Sequence, residues 1–286
     1  MDTTERPRAR DGSVEARRGR RHARGRKLLA RAEMAALGAV GLCILLAAWQ
    51  YLSTVLPTSR LVPPSLVLQE LRQDLAFDPV FETFGFGHVG YAGLLLYTIR
   101  NVVVGAMIGG FVGFVGGLFL ARSDLVRAAV EPILLTLGTV PILAVMPLLV
   151  IWFGIVSYTQ VLLVAIYTAI IVTQYALRGA ENLPPVYERR SRTCGASSWT
   201  RLRSVLLPGV LPEALAGLRI ALAFAWGLEV YAETLGAPSG SGQGIVILAN
   251  VDNIQGLLAS ILLIGVVALL ADGLLVAGTK GITRWS

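Results

Sequence analysis

The sequence predicts an all-α integral membrane protein with six transmembrane helices, and three observations carry that reading. Hydrophobic residues fill 55% of the 286 positions against 15% charged, and the mean hydropathy of +0.67 lies above the range of soluble globular domains. Six apolar runs, bounded by charges and turn residues, are each long enough to cross a hydrocarbon core, which takes about 20 helical residues. Basic residues also collect on alternate connections, the pattern of a chain threaded back and forth through a bilayer.

Taken in order, the chain opens on a basic tail at 1–32 that holds 11 of the 25 Lys and Arg residues, and without it the formal charge of +7 disappears. Beside a first membrane helix, such a tail reads as a cytoplasmic retention charge rather than a nucleic-acid arm. Tail and following apolar run are both too long for a cleaved signal peptide. The remainder, 33–286, forms one membrane domain with spans at 33–56, 101–121, 131–153, 158–177, 213–236 and 257–279. Between the first two, Pro57, Pro63, Pro64 and Pro79 mix with Glu70, Asp74, Asp78 and Glu82. That segment reads as extracytoplasmic, with a short helix at 64–75 and a half-polar lead-in at 97–101.

With the N-terminus inside, 22 of the 25 basic residues, Arg219 among them, fall on the cytoplasmic side; only Arg60, Arg72 and Arg100 fall outside. Both termini and the polar connection around 184–212 are then cytoplasmic. His22 and His88 are the two histidines, and the two cysteines are Cys43, inside a span, and Cys194, in the polar connection. Imidazole catalysis, a thiolate metal site and a disulfide are all poorly supplied, which argues against a membrane enzyme. The run GAPSGSGQGI at 236–245 follows a membrane helix and reads as a turned external loop, not a nucleotide fingerprint. No GxxxxGK[ST] run exists in the chain, so ATP-driven work would need a separate hydrolysing subunit.

Within the spans, Gly109, Gly113 and Gly117 recur every four residues and allow close helix approach. Pro141 and Pro147 fall inside the third span, flanking Met146, where each proline removes a backbone hydrogen bond and bends the helix. Such bends serve either as a gate or as packing, and both readings stand. Trp226, Glu229 and Glu233 share one face of the fifth span, with Asp272 near the end of the sixth. Intramembrane acids normally face a cavity or a partner, so this face is a candidate wall of a permeation path. The alternative is that Glu233 reaches interfacial water.

The polar interruption has its own logic. Pro184 and Pro185 stop one segment and start a short helix through Glu188, Arg189, Ser191 and Arg192 to Gly195, a natural left-handed cap. Ser197 or Ser198 caps a second helix in which Trp199, Leu202, Val205 and Leu206 share a face, until Pro208 ends it; Leu211, Pro212 and Glu213 then start the fifth span. Two short amphipathic helices about a glycine turn make a protruding element suited to touching a partner. An ordinary loop with its arginines on anionic headgroups is the competing reading.

This stretch resembles the cytoplasmic signature loop of bacterial ABC importer permeases: E-A-A, three residues, Gly, about nine residues, then an apolar residue, one more and Leu-Pro. Gly195 matches the glycine, Ser191 the second alanine, and Leu207 with Pro208 the Leu-Pro. Arg189 and Arg190 stand at the glutamate and first alanine, with Glu188 one residue out of register. PILAVMPLLVIWFG, LPGVLPEALAGLRIALAFAW and AETLGAPSGSG are similar to the subgroup importing nitrate, taurine and aliphatic sulfonates. The resemblance spans about 60–280. It implies a type I ABC importer permease fold in the bacterial inner membrane, dimerised with a second permease copy. It also implies a coupling helix around Gly195, Ala196, Ser197 and Trp199 seated in two cytoplasmic ATPase subunits that hold ATP and Mg, and an external solute-binding protein. This chain itself would bind no cofactor or metal and no nucleic acid; membrane lipids would surround it. The rival class is a secondary transporter, which normally shows internal repeats between halves that are absent here.

Overall fold

A computed structural model describes residues 33, 34 and 36–282, the side chains of Lys280 and Ile282 excepted. The basic tail and Arg284 lie outside the described residues. The chain divides into two compact units, up to Pro64 and from Ser65 onward.

In the first unit, α1 (Ala36–Val55) is an apolar helix long enough to cross a membrane. The Trp49 indole Nε1 donates to the Val62 carbonyl at 3.0 Å, folding the segment after the helix back along it.

The second unit is helical throughout its described residues: α2 (Pro64–Gln73), α3 (Pro79–Thr83), α4 (Tyr91–Leu120), α5 (Asp124–Thr139), a 3-10 turn (Ile142–Val145), α6 (Met146–Phe153) and α7 (Ser157–Glu181). There follow α8 (Pro185–Thr193), α9 (Ser198–Arg201), a π-turn (Leu202–Leu206), α10 (Leu207–Thr234), α11 (Ser241–Asn250) and α12 (Ile254–Ile282). With α1, five helices have the length and hydropathy of a membrane span, and the bent pair α5 and 142–153 brings the number to six if it crosses as one broken span.

The centre of the unit is the packing of α4 against α7. A Cβ added at Gly109 would strike the Ala165 carbonyl and the Thr168 side chain, at Gly113 the Ala169 carbonyl and Val172, and at Gly117 Ala176. The glycine stripe is therefore a packing seam. Buried Val102, Met146, Leu163, Val164, Ala225 and Trp226 close the core where α4, α6, α7 and α10 meet. A second cluster of Phe81, Tyr91, Leu94, Ile247 and Leu248 joins α3, α4 and α11.

Four sequence expectations change. Helix α4 begins at Tyr91, so residues 97–101 are part of the span and not a lead-in to it. The third span is not a kinked helix but two segments meeting at 91°. Val140 is extended (φ −68°, ψ 129°), as the residue before a proline prefers, and Pro141 starts the 3-10 turn. Pro147 sits in the first turn of α6, where a missing N–H costs nothing, so it starts a helix and does not bend one.

Pro208 is not a stop either. The helix runs unbroken from Ser198 to Thr234, 37 residues, because a π-turn absorbs the proline: the Leu207 N–H reaches the Leu202 carbonyl five residues back. The widened turn accommodates the ring and the missing donor. Residues 241–245 of the expected external loop, finally, are the first turn and a half of α11.

Candidate functional site

Two separated sites emerge, one at each end of the long helix α9–α10. At the arginine-rich end, α8 terminates in a Schellman motif: the Ala196 N–H donates to the Ser191 carbonyl and the Gly195 N–H to the Arg192 carbonyl, both at 3.0 Å. Gly195 carries φ +71°, and a Cβ there would meet nothing within 4 Å, so glycine is required by backbone conformation and not by space. Ser197 then caps α9, its Oγ accepting from the Thr200 N–H at 3.2 Å.

Glu188 spans the turn. Its carboxylate pairs with Arg192 at 2.6 Å on its own helix and with Arg201 at 3.7 Å on α9. Arg189, at the resembling family's glutamate position, is exposed. Trp199 is 68% exposed, an aromatic anchor standing free beside the turn. Ser191 and Ala196 are half-buried, Leu207 lies exposed at the start of α10, and Pro208 is half-buried behind it.

At the opposite end lies a buried polar network that sequence reading found only in part. Glu229 and Glu233 have no solvent exposure. The Thr98 hydroxyl donates to Glu233 Oε1 at 2.8 Å and accepts from the Ser241 N–H at 3.0 Å, while the Gly242 N–H donates to Glu233 Oε2 at 2.7 Å. Thus the first amides of α11, unpaired within their own helix, are capped by side chains from α4 and α10. A Cβ at Gly242 would strike the Val230 carbonyl and Glu233, which explains the glycine at this position.

One turn away, Asn101 Nδ2 donates to Glu229 Oε1 at 2.8 Å and to Gln160 Oε1 at 3.0 Å. The Tyr97 hydroxyl donates to the same Gln160 oxygen at 3.1 Å, and the Ser157 hydroxyl to Asn101 Oδ1 at 2.9 Å. Glu229 Oε2 is left buried without a partner among the described residues, as is Trp226 Nε1.

Thr98, Asn101, Gln160 and Ser241 went unrecognised from sequence. The available signal was polar side chains within apolar helices, which membrane helices tolerate only when satisfied by neighbours. Met146 is buried against the core that holds Trp226, whereas Pro141 and Pro147 are exposed. Arg219, assigned to a cytoplasmic flank by charge counting, is instead well inside α10, roughly 18 Å along the axis from Leu207. It meets Asp272 of α12 in a bidentate pair, Nε to Oδ1 at 2.6 Å and Nη2 to Oδ2 at 2.8 Å. Among the described residues no group of three His, Cys, Asp or Glu is placed to hold a metal.

Residues 94–283 match the family described as binding-protein-dependent transport system inner membrane component. The chain belongs to this family. It is 30% identical over 246 residues to the taurine transport system permease protein TauC of Escherichia coli, covering 85% of this chain and 87% of that one. To the nitrate import permease protein NrtB of Synechococcus elongatus it is 31% identical over 205 residues, 71% and 72% of the two chains. Among solved structures it is similar to the inward-facing MetNI methionine ABC transporter, with TM-score 0.58 at 19% identity over 68% of this chain and 98% of that one. The fold is that of the type I ABC importer permeases, and the chain is a multi-pass membrane component of ABC transport, as its signature loop and apolar helices lead one to expect.

Proposed function

We propose that this chain is the permease that carries a small solute, of the nitrate, sulfonate or taurine kind, inward through the bacterial inner membrane as one of a pair of permease subunits. An external binding protein delivers the solute, and two cytoplasmic subunits supply the work by hydrolysing ATP with Mg. The arginine-rich end and both termini face the cytoplasm. The α8 turn around Gly195, with Glu188, Ser197 and Trp199, seats in the ATPase.

The observation that carries this reading is the continuity of α9, the π-turn and α10 as one helix of 37 residues. At 1.5 Å per residue, Ser198 and Glu233 are roughly 53 Å apart on a single element. A displacement imposed on the turn by a closing ATPase dimer moves the far end directly, and there Glu229 and Glu233 grip α4 and α11, with α7 joined through Asn101. The permease thus needs no nucleotide site: it converts a push at one membrane surface into rearrangement at the other.

The test is affinity purification of the tagged full-length chain in mild detergent. Recovery of a Walker-type ATPase at about equal copy number supports the reading, and Gly195→Arg is expected to abolish both recovery and uptake while leaving membrane insertion intact. A lone wild-type chain, or normal uptake by that variant, would overturn it.

A further inference from the structure

Between α10 and α12 lies a cavity of about 470 Å³ walled by Arg219, Leu222, Trp226, Ala268 and Asp272 among others. That volume falls within the range of small-molecule sites. The Arg219 and Asp272 side chains are 54% and 36% exposed in the chain, so the pair borders the cavity and is not sealed in the core. Charged side chains within apolar helices do not face lipid; they face water or protein. Two of the five guanidinium N–H donors go to Asp272. Two turns along the same helix, the Trp226 indole N–H is buried with no partner among the described residues.

The charge arithmetic of this cavity is selective. A simple anion approaching Arg219 finds its cation already matched by a tethered carboxylate, and binding would leave Asp272 without its partner at the cavity wall. A simple cation at Asp272 meets the mirror-image penalty. A solute that carries an anionic and an ammonium group a few ångströms apart exchanges with the pair at no net loss of charge pairing: its anion takes the guanidinium and its ammonium takes the carboxylate. The unpartnered indole N–H of Trp226, which lines the same cavity, offers the anion a further donor.

We infer that the cavity bounded by Arg219, Asp272 and Trp226 is a solute subsite on the transport path that selects small zwitterions over simple anions of similar size. This rests on the importer reading above and narrows it to one substrate class.

The test uses the full-length chain in lipid nanodiscs, with binding of radiolabelled taurine and β-alanine measured against competition by methanesulfonate and nitrate. Both zwitterions are expected to bind saturably, with the simple anions competing about tenfold worse or less well still, the weight of one charged hydrogen bond. Arg219→Gln and Asp272→Asn should each weaken taurine binding by a similar factor. Unfolding midpoints of both variants in the same nanodiscs should stay close to the parent's, which separates a binding role from mere support of the fold.

Equal binding of methanesulfonate and taurine, absence of zwitterion binding, or unchanged taurine binding by Asp272→Asn would overturn the inference. ATPase recovery from the same cells distinguishes the two levels. If the ATPase co-purifies but the zwitterion preference fails, only the subsite falls; if no ATPase co-purifies, the importer reading falls with it.

Discussion

Glu233 accepts from the Thr98 hydroxyl through one carboxylate oxygen and from the Gly242 amide through the other, both away from solvent. Removing the carboxylate strands the buried Gly242 amide and leaves the Thr98 hydroxyl only its longer bond to the Leu94 carbonyl at 3.3 Å. Glu233→Ala is therefore expected to lower unfolding stability by about 2–4 kcal/mol, with Glu233→Gln losing roughly half as much, read by thermal unfolding in detergent. An alanine variant as stable as the parent would show that α11 is anchored elsewhere. Asp74, before α3, titrates differently from an ordinary carboxyl: burial, then the charges of Asp78 and Glu70, hold its pKa above the usual value of 3.8. Its folded state binds the proton more tightly than its unfolded state, so stability present at acid pH is lost as pH rises through this raised pKa. Asp74→Asn should consequently stabilise the protein at neutral pH and make little difference well below pH 3.8, where the acid is protonated in both states, a contrast visible in unfolding midpoints at the two pH values.

Among the elements, the α4–α7 seam and the α8 turn depend on glycine for different reasons. At Gly113 the obstacle is the neighbouring helix, since a Cβ would strike the Ala169 carbonyl. Gly113→Val is expected to cost about 3 kcal/mol or to block accumulation in the membrane, because two packed backbones cannot move apart locally. At Gly195 the obstacle is the backbone, with φ +71° and open space around the site. Gly195→Val should cost about 1–2 kcal/mol, whereas Gly195→Asn, which tolerates the left-handed region, should cost less than half of that. Comparing both variants by unfolding and by ATPase co-purification checks the order; equal effects of valine and asparagine would contradict it.

For the whole molecule, the long helix is the link between its two ends. If α9 and α10 act as one lever, softening the junction must uncouple without unbinding. Replacing Leu207 and Pro208 by glycine, Leu207→Gly with Pro208→Gly, keeps the α8 turn intact and makes the connection flexible. The expected result is undiminished ATPase recovery with uptake reduced at least about tenfold, the effect of little more than 1.4 kcal/mol on the coupled transition. Uptake that survives this change would mean the force travels by another route. The Arg219–Asp272 pair ties α10 to α12, so the same lever also reaches the cavity between them.

Apolar runs, their approximate ends, the glycine stripe and the turn at Gly195 were legible from residues alone, because insertion into lipid, close helix approach and a left-handed cap are decided within one or two helical turns. Prolines were read correctly as breaks in helical hydrogen bonding but not for their outcome. Pro208 follows a π-turn that carries the helix onward, and Pro147 opens a helix after a 91° break. Helix packing alone fixes which polar groups meet: Thr98 with Glu233 across 135 positions, Asn101 with Glu229 across 128 and Arg219 with Asp272 across 53. Periodicity places a side chain on a face of its own helix, but its partner is chosen by how separate helices pack. That choice turned scattered intramembrane charges into an anchored α11, a buried network and a cavity lined by an ion pair.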